Sequence, residues 1–375
     1  MTKIAILGSG FAALTTIREL RRAGVDAEIT VISPRDELHY LPSVIWLPAG
    51  IRTGAGLKIP LTDFFAKTKV RHLKASVTKV VGGGRTIETD QGTVEADHVV
   101  IAAGARFIRK LPGIEHALIP CEGIAVGEEI KRRLDGLEGG TIAVGFATNP
   151  AEQSAMRGGP MFEFLFIIDT LLRQQGRRDR FKLVFFNPAE RPGARLGPKA
   201  VDGLLGEMRR RGIETHLGHK MVRLDANAVH TEGGVIAADL ILFMPGLTGP
   251  AWLGESDLPL SPGGMISADA LCRVKDRPNV WVVGDAGSFP GPDWLPKQAH
   301  QADLQAKAAA RNIAAVLAGR EPATEFKPEL ICIVDTLDSG ILVYRSLRFN
   351  IVAPGIKLFH WMKRAFEGYY MRSYR

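Results

Sequence analysis

Residues 3–13 read Lys3-Ile-Ala-Ile-Leu7-Gly8-Ser-Gly10-Phe-Ala-Ala13. An apolar run of five, a turn of small residues and helical patterning from Leu14 make a strand, a loop and a helix. Gly8 permits a tight turn, Gly10 lets backbone approach a pyrophosphate, and Ala13 lets the helix lie close on the strand. The N–H groups of the first helical turn then face phosphate. Residues 27–32, Ala-Glu-Ile-Thr-Val-Ile, supply the second strand of this βαβ unit. An NAD-binding unit ends that strand in an acid for the ribose 2′-OH. Here it ends Ile32-Ser33-Pro34, which leaves Ser33 as the ribose contact.

Working outward, residues 70–101 read as short strands with turns at Gly82-Gly-Gly84 and Asp90-Gln-Gly92. They end in His98-Val-Val-Ile-Ala-Ala-Gly104-Ala, where an apolar strand meets small residues that let backbone lie against a flat ligand. A further strand, Gly140-Thr-Ile-Ala-Val-Gly145-Phe-Ala, is followed by Thr148-Asn-Pro150 and by no second Gly-rich loop. Pro150 also lacks the N–H that a phosphate cradle uses. Strand and helix alternate again through 180–245, which suggests a second domain of the same architecture without the nucleotide loop. Asn279-Val-Trp-Val-Val-Gly284-Asp285 returns to a buried strand ending in an acid, and a long helix is expected over 298–318.

A chain of 375 residues exceeds one compact core, so two domains are expected. Hydrophobic content of 46% and charged content of 23% are those of a soluble globular protein. No apolar run approaches the ~18 residues of a membrane span. With a strand beginning at residue 3 there is no room for a signal peptide, so the protein is expected in the cytoplasm. The net charge of +8 comes without a nucleic-acid recognition motif, and Arg209-Arg-Arg211 reads as a solvated helix face. Cys121, Cys272 and Cys332 form no Cys-x-x-Cys, and the nine histidines show no zinc spacing, so no metal site is expected.

Four features occur in order: Gly8-x-Gly10-x-x-Ala13, the Ala102-Ala103-Gly104 turn, Val283-Gly284-Asp285, and a helix after Pro296-Lys297. Together they resemble the flavoproteins with two dinucleotide-binding domains, a group that includes glutathione-reductase-like enzymes and type II NADH dehydrogenases. The resemblance implies an α/β fold of two Rossmann-like domains with a short amphipathic C-terminal tail. It implies bound FAD, with Asp285 on the ribityl chain. The domains are expected at 1–110 with 250–325 (FAD), 111–249 (the second domain) and 326–375 (the C-terminal segment).

Within that group the chain is most similar to the sulfide:quinone oxidoreductases and the flavoprotein of flavocytochrome c sulfide dehydrogenase. Asp36-Glu-Leu-His-Tyr-Leu-Pro42-Ser resembles the loop over the flavin, and Gly159-Pro-Met-Phe-Glu163 the Gly-Pro-x-aromatic-Glu helix start. Leu295-Pro-Lys297 resembles a segment whose lysine lies at the flavin pyrimidine edge, where its charge stabilises the reduced ring. Leu330-Ile-Cys332-Ile-Val-Asp335 resembles the segment that carries a redox cysteine, and Cys121 lies where an additional one is common. Cys272 has no counterpart and reads as structural. Glu163 reads either as a proton-handling group or as a carboxylate favoured by a helix start.

The pattern departs from that family at Arg157, where the second redox cysteine is expected. Either Cys121 partners Cys332 or the usual disulfide is absent; an arginine there favours an anionic substrate or lowers a neighbouring thiol's pKa. The loop His39-Tyr-Leu-Pro42 lacks the cysteine that attaches flavin covalently in the flavocytochrome members. With no second nucleotide loop, NAD(P)H is not expected as a partner. In the tail, Leu358, Phe359, Trp361, Met362, Ala365, Phe366, Tyr369 and Tyr370 can share an apolar face, with Lys357, Lys363, Arg364, Arg372 and Arg375 supplying charge. Such a tail suits the surface of an anionic membrane. The expected function is oxidation of sulfide or a related reduced sulfur species, with FAD passing electrons to a membrane quinone. The protein would then sit peripherally on the inner face of the cell membrane, and a homo-oligomer is compatible with this reading. The alternatives are a quinone reductase with another donor and a non-enzymatic redox-sensing flavoprotein.

Overall fold

The computed structural model describes residues 1–374. Strands β1 (Lys3–Leu7), β2 (Glu28–Ser33), β3 (Arg71–Lys74) and β4 (His98–Ile101) begin a parallel sheet. Ile4 to Leu7 and all of β4 are buried, as parallel strands covered on both faces must be. Helix α1 (Phe11–Arg22) returns the chain from β1 to β2. After helix α2 (Ile124–Gly136), a second parallel sheet forms from β5 (Gly140–Phe146), β6 (Phe181–Asn187), β7 (Glu214–Leu217) and β8 (Leu240–Met244) in the order β7-β6-β5-β8. The chain then re-enters the first sheet as β9 (Val280–Val282), completing the order β9-β4-β1-β2-β3. Each half also carries a three-stranded antiparallel meander, at 77–95 and 221–237, just before a strand that pairs with the first strand of its sheet.

Helix α3 (Gly159–Gln174) connects β5 to β6 and is buried from Met161 to Leu172. A helix apolar all round belongs in a core. Its two acids therefore need partners: Asp169 accepts from Arg173 at 2.9 Å, Arg178 at 2.5 Å and Arg211 at 3.0 Å. This corrects the reading of 209–211 as a solvated face. Arg209 and Arg210, at the end of helix α4 (Pro198–Arg210), are exposed, but Arg211 is buried in that cluster.

Helix α5 (Ala299–Leu317) packs on α1 through alanines, so the two helices approach closely. Gly284 lies under the crossing, where a Cβ would sit 3.3 Å from Ala12 Cβ and 3.4 Å from Ala302 Cβ. The chain ends in an antiparallel sheet, β10 (Glu329–Asp335), β11 (Gly340–Ser346) and β12 (Asn350–Ile356), followed by helix α6 (Lys357–Arg372). Among the described residues no helix is long and apolar enough to cross a membrane.

Candidate active site

The groove at the C-terminal end of the first sheet is built from backbone. Gly8 has φ +114°, and a Cβ there would lie 2.5 Å from the Ala102 carbonyl oxygen, so only glycine closes β1 against the turn after β4. Gly10 precedes α1 in an extended conformation, and a Cβ at Gly10 or at Gly104 would meet nothing within 4 Å. Ala103 is exposed beside them, and Ala13 is buried under α1. Pro42 is exposed at the start of a short helical turn, with Tyr40 buried before it. Ser33 faces inward: its hydroxyl donates to the Arg35 carbonyl oxygen at 2.7 Å and lies 3.0 Å from His72 Nε2.

Where β9 ends, Ser154, Gly284, Asp285, Gly287, Leu295 and Lys297 line a cleft. Lys297 is buried and donates to the Gly287 carbonyl oxygen at 2.6 Å. Burial pushes its ammonium down to about 8, against the opposing charges of Asp285 and Glu152. Arg157, from the loop before α3, pairs with Asp285. At the head of α5 two amide nitrogens, Gln298 Nε2 and Gln301 Nε2, are buried with no partner among the described residues. Open space before Gly10 and Gly104, a buried ammonium and two orphaned amides fit a dinucleotide with a flat polar ring system. Gly8, Gly10 and Ala13 would hold its pyrophosphate end; Asp285, Lys297 and the α5 amides would face its ring end.

The thiols gather on the other side of α3. A Cβ at Gly159 would lie 3.9 Å from Cys332 Sγ, so the start of α3 faces β10. Glu163, one turn further, is buried; its Oε1 accepts from the Asp335 N–H at 3.0 Å and pairs with Lys363 of α6. Lys363 also donates to the Ile333 carbonyl oxygen at 3.0 Å. Burial lifts the Glu163 carboxyl above the usual carboxylate range, and the Lys363 charge limits the rise. Beside it Asp335 Oδ2 lies 2.8 Å from His360 Nδ1. Cys332 is half-buried, and burial raises its thiol to about 12, with the Glu163 charge adding and Lys363 opposing. Cys121 is buried and also raised to about 12. Arg157 pulls that thiol down, as expected of a neighbouring cation, but desolvation outweighs it. All three cysteines are free, so the Cys121–Cys332 bond left open by the sequence is not formed. Cys272 is fully buried against the Gln305 carbonyl oxygen.

The tail corrects the helical face drawn for it. Tyr370 and Lys363 do not join the outward side: Tyr370 donates to Asp303 at 3.1 Å, and Lys363 turns in to Glu163. With His360 on Asp335 and Glu367 on Arg52, residues 360, 363, 367 and 370 form a polar seam on the inner face. Leu358, Trp361, Met362, Phe366 and Tyr369 point outward and are exposed. Arg375 lies outside the described residues. Neither Arg52 nor Asp303 carried a sequence signal, because both meet the tail only through the fold. Among the described residues no cluster of His, Cys, Asp and Glu could hold a metal ion.

Two doubly wound parallel sheets, with a glycine cradle in the first, define the glutathione-reductase-like flavoprotein fold. The profile of pyridine nucleotide-disulphide oxidoreductases matches residues 2–306, and the chain belongs to that family of flavin-binding oxidoreductases. Among curated relatives, the type II NADH:quinone oxidoreductase of Staphylococcus aureus is 26% identical over 349 residues, covering 87% of this chain and 85% of that protein. Among solved structures, the sulfide:quinone oxidoreductase of Aquifex aeolicus superposes with a TM-score of 0.91 at 21% identity, covering 100% of this chain and 92% of that one. NDH2 from Plasmodium falciparum gives a TM-score of 0.78 at 12% identity, covering 100% and 96%.

Proposed function

We propose that the protein uses bound FAD to reduce a membrane quinone, with electrons drawn from sulfide or a related reduced sulfur anion. The observation that carries this reading is what stands at the start of α3. A nicotinamide-binding domain leaves that helix end open to phosphate. Here Cys332, Cys121, Glu163 and Lys363 gather around it. The loop before it is packed shut against the turn after β8: a Cβ at Gly246 would lie 2.3 Å from the Asn149 nitrogen. The acceptor side draws support from the relatives, whose names pair sulfide or NADH with quinone alike.

When bound, FAD supplies two-electron storage between donor and quinone. Lys297 would hold a positive charge at its ring end and favour the reduced anion. Glu163, kept protonated more readily by burial, would pass a proton to a quinone oxygen, with Lys363 holding the carboxyl in place. The outward face of α6, with Trp361 60% and Phe366 58% exposed, would rest in the membrane interface, where aromatic and aliphatic side chains are favoured.

The test mixes oxidised holoprotein anaerobically with sulfide, and separately with NADH, while flavin absorbance is followed. Bleaching by sulfide, reversed by a short-chain quinone and lost in Cys332→Ser, is the expected result. Bleaching by NADH alone would transfer the donor side to nicotinamide. The high thiols at Cys121 and Cys332, and Arg157 in the expected cysteine position, favour a second reading in which a different anion is the donor.

A further inference from the structure

The sheet of β10, β11 and β12 is apolar on both faces. Along each strand, alternate residues face opposite sides. Leu330, Val334 and Val343 face inward and are buried, and Cys332 and Val352 pack against the same core. The register sets Ile331, Tyr344 and Ile351 in one row across the outer face, and Ile333, Leu342 and Ala353 in the next. An antiparallel sheet with one face in water turns polar side chains to it. Here neither row carries a charge, and Ile331 and Ile351 are exposed. Glu329, at the margin of that face, is taken by His300 at 3.0 Å.

The apolar surface continues beyond the strands. The turn between β11 and β12 projects Leu347, 69% exposed, and Phe349, 59% exposed, on either side of Arg348. At the opposite end α6 closes on the sheet: His360 meets Asp335, and a Cβ at Gly340 would lie 3.2 Å from Phe359 Cβ. Ile356, the exposed last residue of β12, runs directly into α6, so the open sheet face and the outward side of the helix are neighbours. Contiguous exposed apolar surface of this kind marks a docking site.

Charge decides what docks there. From Ser339 to Tyr374 the only acidic residue is Glu367, which is buried against Arg52. Arg348, Lys357 and Arg372 are exposed and have no carboxylate partner among the described residues, and Arg364 lies over Trp361 at 5.0 Å. A second copy docked by two-fold symmetry would set these cations against their own equivalents. Pro354 also spoils the free edge of β12 as a template for strand pairing. An anionic bilayer suits both features, taking apolar side chains into its interface and cations among its headgroup phosphates.

We propose that the outer face of this sheet, with the turn at 346–349, is a second membrane contact beside α6 and is selective for anionic lipid. The inference rests on the membrane reading of α6 above and adds an element which that reading does not need. Ile331 and Ile333 then face lipid with Cys332 between them on the inner face, so a single strand separates the bilayer from that thiol.

The experiment sediments the holoprotein with vesicles of phosphatidylcholine, alone or mixed with phosphatidylglycerol. Binding is expected to the mixed vesicles and is expected to fall as salt is raised. Leu347→Ser/Phe349→Ser is expected to weaken it by at least about tenfold, because two apolar side chains no longer leave water. Ile331→Gln/Ile351→Gln is expected to act likewise, and Arg348→Gln to weaken binding about fivefold, at low salt only. All five positions are exposed, so flavin content and melting temperature are expected to match the wild type. Should Ile331→Gln/Ile351→Gln melt early, the turn variant carries the test. Trp361→Ser/Phe366→Ser separates the two contacts. If it abolishes binding while the turn and sheet variants bind like the wild type, the sheet contact is overturned and α6 stands. If the wild type binds neither vesicle, both fall. Equal binding to the two vesicle types would overturn the anionic selectivity. A wild-type dimer in sedimentation velocity that Leu347→Ser/Phe349→Ser dissolves would give the face to a second copy and overturn the proposal.

Discussion

The two parallel sheets carry the same kind of strand into very different loops. After β1 the chain turns in three residues, and the head of α1 stays open before Gly10. After β5 it takes the 12 residues of 147–158 to reach α3, and their atoms fill the space themselves. Asn149 shows how: buried, it donates to the Leu247 and Gly263 carbonyl oxygens, both at 2.9 Å, and accepts from the Ala151 N–H at 3.0 Å. One architecture thus yields a ligand cradle or a structural plug, and which one depends on whether the loop leaves its N–H groups unspent.

The largest expected effect tests that contrast directly. Gly8→Ala places a Cβ 2.5 Å from the Ala102 carbonyl oxygen at a φ that alanine resists, about 1–3 kcal/mol of strain before any clash is relieved. Purified Gly8→Ala is expected to carry little or no flavin, read as the ratio of visible to protein absorbance. Asn149→Ala leaves two carbonyls and one N–H without partners, which costs about 2 kcal/mol and lowers the melting temperature. It should keep its flavin. Full flavin in Gly8→Ala, or flavin loss in Asn149→Ala at temperatures where it is folded, would break the comparison.

The heads of α1 and α3 differ in the same sense, and Lys363 is the lever there. Lys363→Met leaves the buried Glu163 carboxyl with only the Asp335 N–H, a loss of about 3 kcal/mol. The sign of its pH dependence follows from Glu163. The folded state already holds the Glu163 proton more tightly than the unfolded chain, so this group favours folding at low pH. That contribution shrinks as pH rises through the raised value. Removing Lys363 moves that value higher still, so the melting deficit should be larger near about pH 8 than near about pH 5. A deficit independent of pH would mean that Glu163 is not the group left exposed.

The strands and helices named from the sequence fall within a residue or two of those in the structure, because parallel strands are apolar throughout and α5 is rich in alanine; helix α2 and the strands β11 and β12 carried no such reading. The helix expected over 298–318 is Ala299–Leu317, and the strand near 140 is Gly140–Phe146. The turn after β1 was equally legible, since the φ of Gly8 and its close approach to the Ala102 carbonyl oxygen require glycine. The C-terminal seam was not. Helical spacing gives two faces, and sorting by hydropathy sent Lys363 outward with the other basic residues. Only the fold reveals that Glu163 waits inside, 200 positions earlier. Arg211 was misread for the same reason, its acid lying on α3 at Asp169. Ser33 reads as a ribose ligand by position alone; in the structure its hydroxyl donates to the Arg35 carbonyl oxygen.

The smallest effect concerns Lys297, which marks where the open half meets the plugged one. Its ammonium, lowered to about 8 by burial, carries full charge only below that pH. Bound flavin in its reduced anionic form gains from the charge, so the two-electron midpoint potential should fall more steeply once pH passes about 8. Lys297→Met removes the charge at every pH. It is expected to lower the potential near neutral pH by about 30 mV, the equivalent of a tenfold change in the reduction equilibrium. Lys297→Arg keeps the charge and should lose the bend near pH 8 while holding a potential close to the wild type. A dye-coupled titration of all three proteins separates these cases without any donor or quinone. If Lys297→Met and the wild type titrate together, Lys297 braces Gly287 and nothing more.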